Sequence, residues 1–164
     1  MPLRLVLMRH AKSSWENANL SDFDRPLNTR GYESAAALGI WLRQEILSPK
    51  IALVSPSLRT IQTFEGLQLS IEPTLIAGLY HASSFQMMHI LSTATAQSVL
   101  MIGHNPGIAD FASSLVNRPV SHDRFRAYPT GATLVVDFDR EKWSDVTPNS
   151  GEVFSFVTPR SLTS

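Results

Sequence analysis

The sequence predicts an α/β fold, a three-layer α-β-α sandwich in which helices cover both faces of a mostly parallel sheet. Three observations carry this. Short runs that are almost wholly apolar, Leu3–Met8, Ile51–Val54 and Ser98–Ile102, have the length and composition of strands buried on both faces. Segments with apolar residues at helical spacing separate them, and strands alternating with helices imply parallel pairing. The 164 residues suit one compact domain, 1–164, with no repeat or linker to divide it.

Taken in order, Leu3–Met8 is the first strand, followed by a polar surface loop from Lys12 to Asn28 rich in Asn, Asp and Ser. Asn28 or Thr29 caps a helix over about Gly31–Leu47, where Ala35, Leu38, Leu42 and Ile46 recur on one face and Pro49 ends the segment. The strand Ile51–Val54 leads into a helix over about Ser57–Gly66, and Ile71–Leu75 is a short strand. Ser83 or Ser84 caps the next helix, with Phe85, Met88 and Leu91 on its core face. After Ser98–Ile102, Asn105 suits an N-cap and Pro106 the first helical position. Ile108, Phe111, Ala112 and Leu115 then mark a half-buried helix. Ala132–Phe138 and Val153–Val157 are further strands around a turn region from Lys142 to Gly151.

Composition excludes several classes. Fourteen basic and fourteen acidic residues cancel, with no basic stripe to suggest a nucleic-acid binder. No run approaches the ~20 apolar residues of a membrane span, and Leu3–Met8 is too short for a signal-peptide core. Cysteine is absent, so neither a disulfide framework nor a thiolate nucleophile is available. That suits a reducing compartment, and the cytoplasm is the expected location.

Ligands of open α/β sheets bind beyond the carboxyl ends of the strands. Here the first strand ends in Arg9-His10, the second leads through Ser55-Pro56-Ser57-Leu58 to Arg59, and the third ends in Gly103-His104-Asn105-Pro106-Gly107. If those strands are neighbours, two histidines and two arginines converge. Arginine binds phosphate oxygens bidentately, and helix N-termini favour anions. Such a cage suits a phosphoryl group, and an imidazole inside it can attack phosphorus to form an N-phosphoryl intermediate.

Arg9-His10, the Ser57-Leu58-Arg59-Thr60-Ile61-Gln62-Thr63 stretch and Gly103-His104-Asn105-Pro106-Gly107 together resemble the histidine phosphatase superfamily, the phosphoglycerate mutase-like fold. Met8-Arg9-His10-Ala11-Lys12-Ser13-Ser14-Trp15, Asp24-Arg25-Pro26-Leu27-Asn28-Thr29-Arg30-Gly31, Leu79-Tyr80-His81-Ala82-Ser83 and Pro129-Thr130-Gly131-Ala132 point to its short SixA-type branch of phosphohistidine phosphatases. The resemblance implies that His10 is the phosphorylated nucleophile. It implies that Arg9 and Arg59 hold phosphate oxygens, and that His104 stabilises the transferring group. Ser13 is a further hydroxyl contact to phosphate. The resemblance implies no metal and no cofactor.

Two departures matter. The third residue of the usual Arg-His-Gly signature is Ala11, which would be strained only at positive φ. No glutamate matches the acid that protonates alkoxide leaving groups in larger members, and the Tyr80-His81-Ala82-Ser83 region has no carboxylate. Glu16, Asp22 and Asp24 lie in a loop positioned to cover the site, but the proton donor stays unassigned. General acid help is worth ~10²–10⁴-fold, so a site without it favours phosphohistidine, whose nitrogen leaving group departs readily.

The expected reaction is therefore hydrolysis of phosphohistidine on a protein, such as a phosphotransfer domain. A small-molecule phosphomonoesterase and a non-catalytic module binding phosphorylated ligands are the alternatives. A zinc site of His10, His104 and His81 lacks a helical ligand pair and a completing carboxylate. His89 and His122 have no partner spacing. Trp15, Trp41 and Trp143 read as core or loop anchors, with Trp15 a possible pocket wall, and Asp24 with Arg25 as an ion pair pinning the loop.

Overall fold

A computed structural model describes residues 2–45 and 47–163. The chain runs β1 (Leu3–Arg9), α1 (Thr29–Gln44), β2 (Ile51–Val54), α2 (Leu58–Leu67), β3 (Pro73–Leu75), α3 (Ser84–Ser92), β4 (Ser98–Gly103), α4 (Gly107–Leu115), β5 (Thr133–Phe138), β6 (Glu152–Val157) and α5 (Pro159–Thr163). The six strands form one sheet in the order β3-β2-β4-β1-β5-β6. The first four in that order are mutually parallel, whereas β5 runs antiparallel to both β1 and β6. This is the mostly parallel three-layer sandwich expected from the alternation of elements.

Strand alternation divides the core in two. Leu3, Leu5 and Leu7 of β1 point to one face, where they meet Met87 and Leu91 of α3 and Ile108, Phe111 and Leu115 of α4. Val6 and Met8 point to the other, against Leu38, Trp41 and Leu42 of α1 and Phe64 and Leu67 of α2. A strand buried on both faces has no polar position to spare, which is why β1, β2 and β4 read as continuous apolar runs.

The helices start where local chemistry dictates. Asn28 caps α1, its side-chain oxygen accepting the Gly31 N–H at 2.8 Å. Ser83 and Gln86 form a reciprocal capping box on α3. Four expectations need correction. The Phe85 side chain is 83% exposed, and the core face of α3 is the Met87–Leu91 row, with Met88 half-buried at its edge. An i, i+4 row therefore wins over the i, i+3 reading. Asn105 does not cap α4, because its side-chain amide donates to the Ala127 and Tyr128 carbonyls and Pro106 takes the N-cap position. Helix α1 ends at Gln44, short of Leu47, and Ile46 lies outside the described residues. Finally, the strand expected over Ile71–Leu75 is confined to β3.

Candidate active site

Because β4 lies between β1 and β2, the residues following all three strands leave neighbouring strand ends. Arg9 pairs in register with Gly103, and the His10 N–H donates to the Gly103 carbonyl at 3.1 Å, which sets His10 beside His104. The Ser55 N–H donates to Ile102 at 3.1 Å and carries the chain on to α2, whose second residue is Arg59. His10, Arg59 and His104 are all buried, and the two imidazole centroids lie 5.3 Å apart.

Hydrogen bonds fix what each ring presents. A carbonyl only accepts, so the 2.7 Å contact between His10 Nδ1 and the Ala11 carbonyl places the ring proton on Nδ1. The Nε2 lone pair then faces inward, where Arg59 Nε lies 3.4 Å away. Arg59 Nη2 approaches His104 Nδ1 at 3.3 Å, and His104 Nε2 meets Ser55 Oγ at 2.7 Å. A guanidinium only donates, so in the neutral ring His104 Nδ1 accepts, the proton sits on Nε2, and the Ser55 hydroxyl oxygen accepts from it. Thr63 ties the segment after His10 to α2, accepting the Ala11 N–H at 2.9 Å while donating to the Arg59 carbonyl at 2.7 Å. Ala11 is fully buried and does not have positive φ, so alanine sits in the signature without strain.

The pocket is electropositive yet keeps its imidazoles neutral. Burial, followed by the charges of His104, Arg9 and Arg59, pushes His10 down to about 3 against the opposing bond to Ala11. Burial and Arg59 likewise push His104 down to about 3, with Asp22 acting in the opposite sense. Burial, then Arg59, lowers Arg9 from the ordinary arginine value. Arg9 Nη1 donates to the Tyr128 carbonyl at 3.1 Å, but its buried Nε has no partner among the described residues. A cation with an unused donor beside a second cation and a neutral imidazole lone pair is suited to an anion that accepts from both arginines.

Asp22 reaches the mouth of this pocket from the loop after β1, at the start of a short 3-10 turn. Its main-chain carbonyl accepts from Arg59 Nη1 at 2.6 Å, and its Oδ2 accepts from Arg59 Nη2 at 3.0 Å and the Tyr80 hydroxyl at 2.7 Å. Oδ1 takes Arg25 Nη2 at 2.9 Å. Asp22 thus grips the outer edge of the guanidinium and leaves its Nε–Nη2 edge aimed at the two histidines. Partial burial opposes ionisation, but the bonds from Tyr80, Arg25 and Arg59 outweigh it and hold the carboxyl well below the usual carboxylate range. The expected Asp24–Arg25 pair is not formed; Asp24 accepts instead from Ser21 Oγ at 2.9 Å. Ser13 Oγ accepts from Arg25 Nη1 at 2.7 Å. Trp15 is 73% exposed and lies over the Arg25 guanidinium at 3.5 Å, so it braces the loop from outside rather than walling the pocket.

Sequence reasoning found the four convergent residues but missed the parts of Asp22, Ser55 and Tyr80. Ser55 had a legible signal, being the first residue past a buried strand end. His81 stacks on Tyr80 with ring centroids 3.9 Å apart, His89 is exposed on α3, and His122 pairs with Asp123. Among the described residues no group of three or more His, Cys, Asp or Glu is placed to hold a metal ion.

The family model of the histidine phosphatase superfamily (branch 1) matches residues 5–80, which include Arg9, His10, Asp22 and Arg59. Two solved structures match nearly end to end. A candidate phosphohistidine phosphatase SixA from Nakamurella multipartitia is 27% identical with a TM-score of 0.86, covering 97% of each chain. Another from Agrobacterium tumefaciens is 27% identical with a TM-score of 0.80, covering 97% of this chain and 99% of that one. An uncharacterized chloroplastic protein of Arabidopsis thaliana is 30% identical over 68% of this chain, which spans 58% of the plant protein. No helix of the described residues is long and apolar enough to cross a membrane. The family match, the full-length likeness to SixA structures and the arginine–histidine pocket at three parallel strand ends lead to one conclusion, that the chain belongs to the histidine phosphatase superfamily and is a phosphatase.

Proposed function

We propose that this phosphatase hydrolyses phosphohistidine on a protein, through a covalent intermediate on His10. The observation that carries the reading is the set of hydrogen bonds that Asp22 accepts. The carboxylate that reaches the pocket is held by two arginines and a tyrosine, and so has no proton to give a leaving group. A reaction run without a carboxylic acid suits a leaving imidazole rather than an alkoxide. The SixA names of the two similar structures support the same substrate class.

In this reading the Nε2 lone pair of His10 attacks phosphorus while Arg9 and Arg59 hold the equatorial oxygens and His104 faces the transferring group. The P–N bond of the substrate breaks, its electron pair stays on the departing imidazole nitrogen, and solvent supplies that nitrogen's proton. Water then attacks phospho-His10, the bond to Nε2 breaks, and phosphate leaves as water's proton passes to solvent. The hydrogen bond to Ala11 pins the reactive tautomer, as nucleophilic catalysis requires. No step calls for a metal or cofactor.

The test is acid-quench trapping of wild type and His10→Ala with a radiolabelled phosphohistidine protein. Acid-labile, alkali-stable label on the wild type and none on the variant is expected. Phosphate release by His10→Ala at the wild-type rate would overturn the role of His10. Hydrolysis of sugar or nucleotide phosphates in preference to phosphohistidine would overturn the substrate reading in favour of a small-molecule phosphomonoesterase.

A further inference from the structure

A second cavity, of about 270 Å³, lies beside the phosphoryl pocket, and its charged lining is wholly cationic. Lys12, Arg30, Arg124 and Arg160 reach it from four separate segments, with the Thr130 hydroxyl group among them and no carboxylate in the lining. None of the four cations forms an ion pair among the described residues. In a chain whose formal charges cancel, four cations without an ion-pair partner among the described residues make this cavity a local excess of positive charge.

The cavity's position ties it to the reaction. Lys12 is two residues beyond His10. Thr130 precedes Gly131, whose N–H donates to the carbonyls of both Arg9 and His10 at 3.1 and 2.9 Å. Strand β5 flanks β1 on the side away from β4. The phosphoryl pocket therefore opens over β2, β4 and β1, and the cationic cavity continues from the same strand end over β5. A substrate whose phosphoryl group sits on His10 and whose surface extends past β1 would cover it.

We propose that this cavity receives acidic side chains of the phosphohistidine-bearing protein and so selects which protein is dephosphorylated. The proposal rests on the protein-substrate reading above. The state of the cations chooses the ligand. All four are exposed to solvent, unlike the buried Arg59 and half-buried Arg9 of the catalytic pocket. Hydrated cations bind a small anion weakly, but together they steer an acidic surface and raise its association rate in a salt-dependent way.

The test compares three substrates: a phosphohistidine peptide with Asp and Glu on both sides of the histidine, the same peptide with Asn and Gln in their place, and phosphoimidazole. At low salt the wild type is expected to favour the acidic peptide by about tenfold in kcat/KM, through KM, with the advantage shrinking as salt rises. The double variant Arg124→Glu/Arg160→Glu should lose that preference and hydrolyse phosphoimidazole within about twofold of wild type, since neither residue touches the catalytic pocket. Equal kcat/KM for the two peptides in the wild type, or a preference that survives in the variant, would overturn the proposal. Should neither peptide be hydrolysed, the protein-substrate reading fails by itself. Fluorescence anisotropy of the labelled, unphosphorylated acidic peptide then decides the cavity. Binding to wild type that the double variant lacks upholds an acidic-segment site, and no binding to wild type refutes it.

Discussion

Asp22→Asn separates two physical accounts of the carboxylate at the pocket mouth. In one, Asp22 competes with phosphate for Arg59, and its removal speeds the enzyme. In the other, which the geometry favours, it holds the outer edge of the guanidinium so that Nε and Nη2 point at the reacting group. Asparagine keeps the shape and one acceptor but removes the charge. A buried charge-assisted hydrogen bond is worth about 1.5–3 kcal/mol, but the Asp22 side chain is 44% exposed, so about 1 kcal/mol for the Arg59 contact is the appropriate scale. If that energy aims Arg59 in the transition state, kcat falls about five- to tenfold. Ground-state anion binding moves the other way, because a negative charge has left the mouth, so product phosphate should inhibit the variant more strongly. The assay is steady-state hydrolysis of phosphoimidazole and of an aryl phosphate, with phosphate as inhibitor. A positioning role predicts the same fractional loss on both substrates. A loss confined to the poorer leaving group would show that Asp22 acts as an acid after all, and a kcat above wild type would show that it merely competes.

Further outcomes follow from the same geometry. In free enzyme, nitrogen NMR should show His10 and His104 neutral down to pH well below 5, with midpoints near the value of about 3 that burial and the arginines impose; a midpoint near 6.5 would refute the electrostatics. Because both values lie below the unfolded one of about 6.5, the unfolded chain binds more protons between those limits. Stability should therefore be complete above pH 6.5 and fall by about 1.4 kcal/mol per histidine per pH unit as pH drops toward 3. Urea midpoints at pH 7 and 4.5 check this, and a midpoint that does not move would contradict it. Ser55→Ala leaves His104 Nε2 without its 2.7 Å partner in a buried site, so kcat should fall about 10–100-fold, and Ser55→Thr should recover most of it because the hydroxyl returns. In Gly107→Ala the new Cβ would overlap the Ala82 carbonyl oxygen at the first residue of α4, so a melting scan should show Tm lower by about 3–10 °C.

Much of this site was legible because a parallel sheet concentrates chemistry at strand ends. Once Leu3–Met8, Ile51–Val54 and Ser98–Ile102 are read as buried strands, Arg9-His10, Arg59 and His104 follow at their carboxyl ends, and only the strand order is left for the structure to supply. What stayed hidden depends on contacts between segments distant in sequence. Asp22 meets Arg59 across 37 residues and Tyr80 across 58, and nothing local distinguishes it from Asp24. Helix faces failed where two periodicities fit equally well, as with Phe85 and Met87 on α3. Helix α5 was missed because five residues carry too little period to read.

The electrostatics of the pocket form a single device. Two arginines and two imidazoles brought this close repel one another if all are charged, and burial strengthens the repulsion. The fold resolves this by keeping both imidazoles neutral and by giving Arg59 one counter-charge, Asp22, on the edge that faces away from the reaction. Among the described residues Arg9 has no such partner, and its buried Nε is left unused. Two arginines against one carboxylate leave the free pocket with about one positive charge in excess, which a phosphoryl group more than neutralises. Binding that group relieves the repulsion instead of competing with an internal salt bridge, and it does so without protonating the His10 nitrogen proposed to attack. In the proposed mechanism a carboxylate on the inner edge of Arg59 would satisfy the same charges but take the place of the phosphoryl group, so the position of Asp22 counts there rather than its presence.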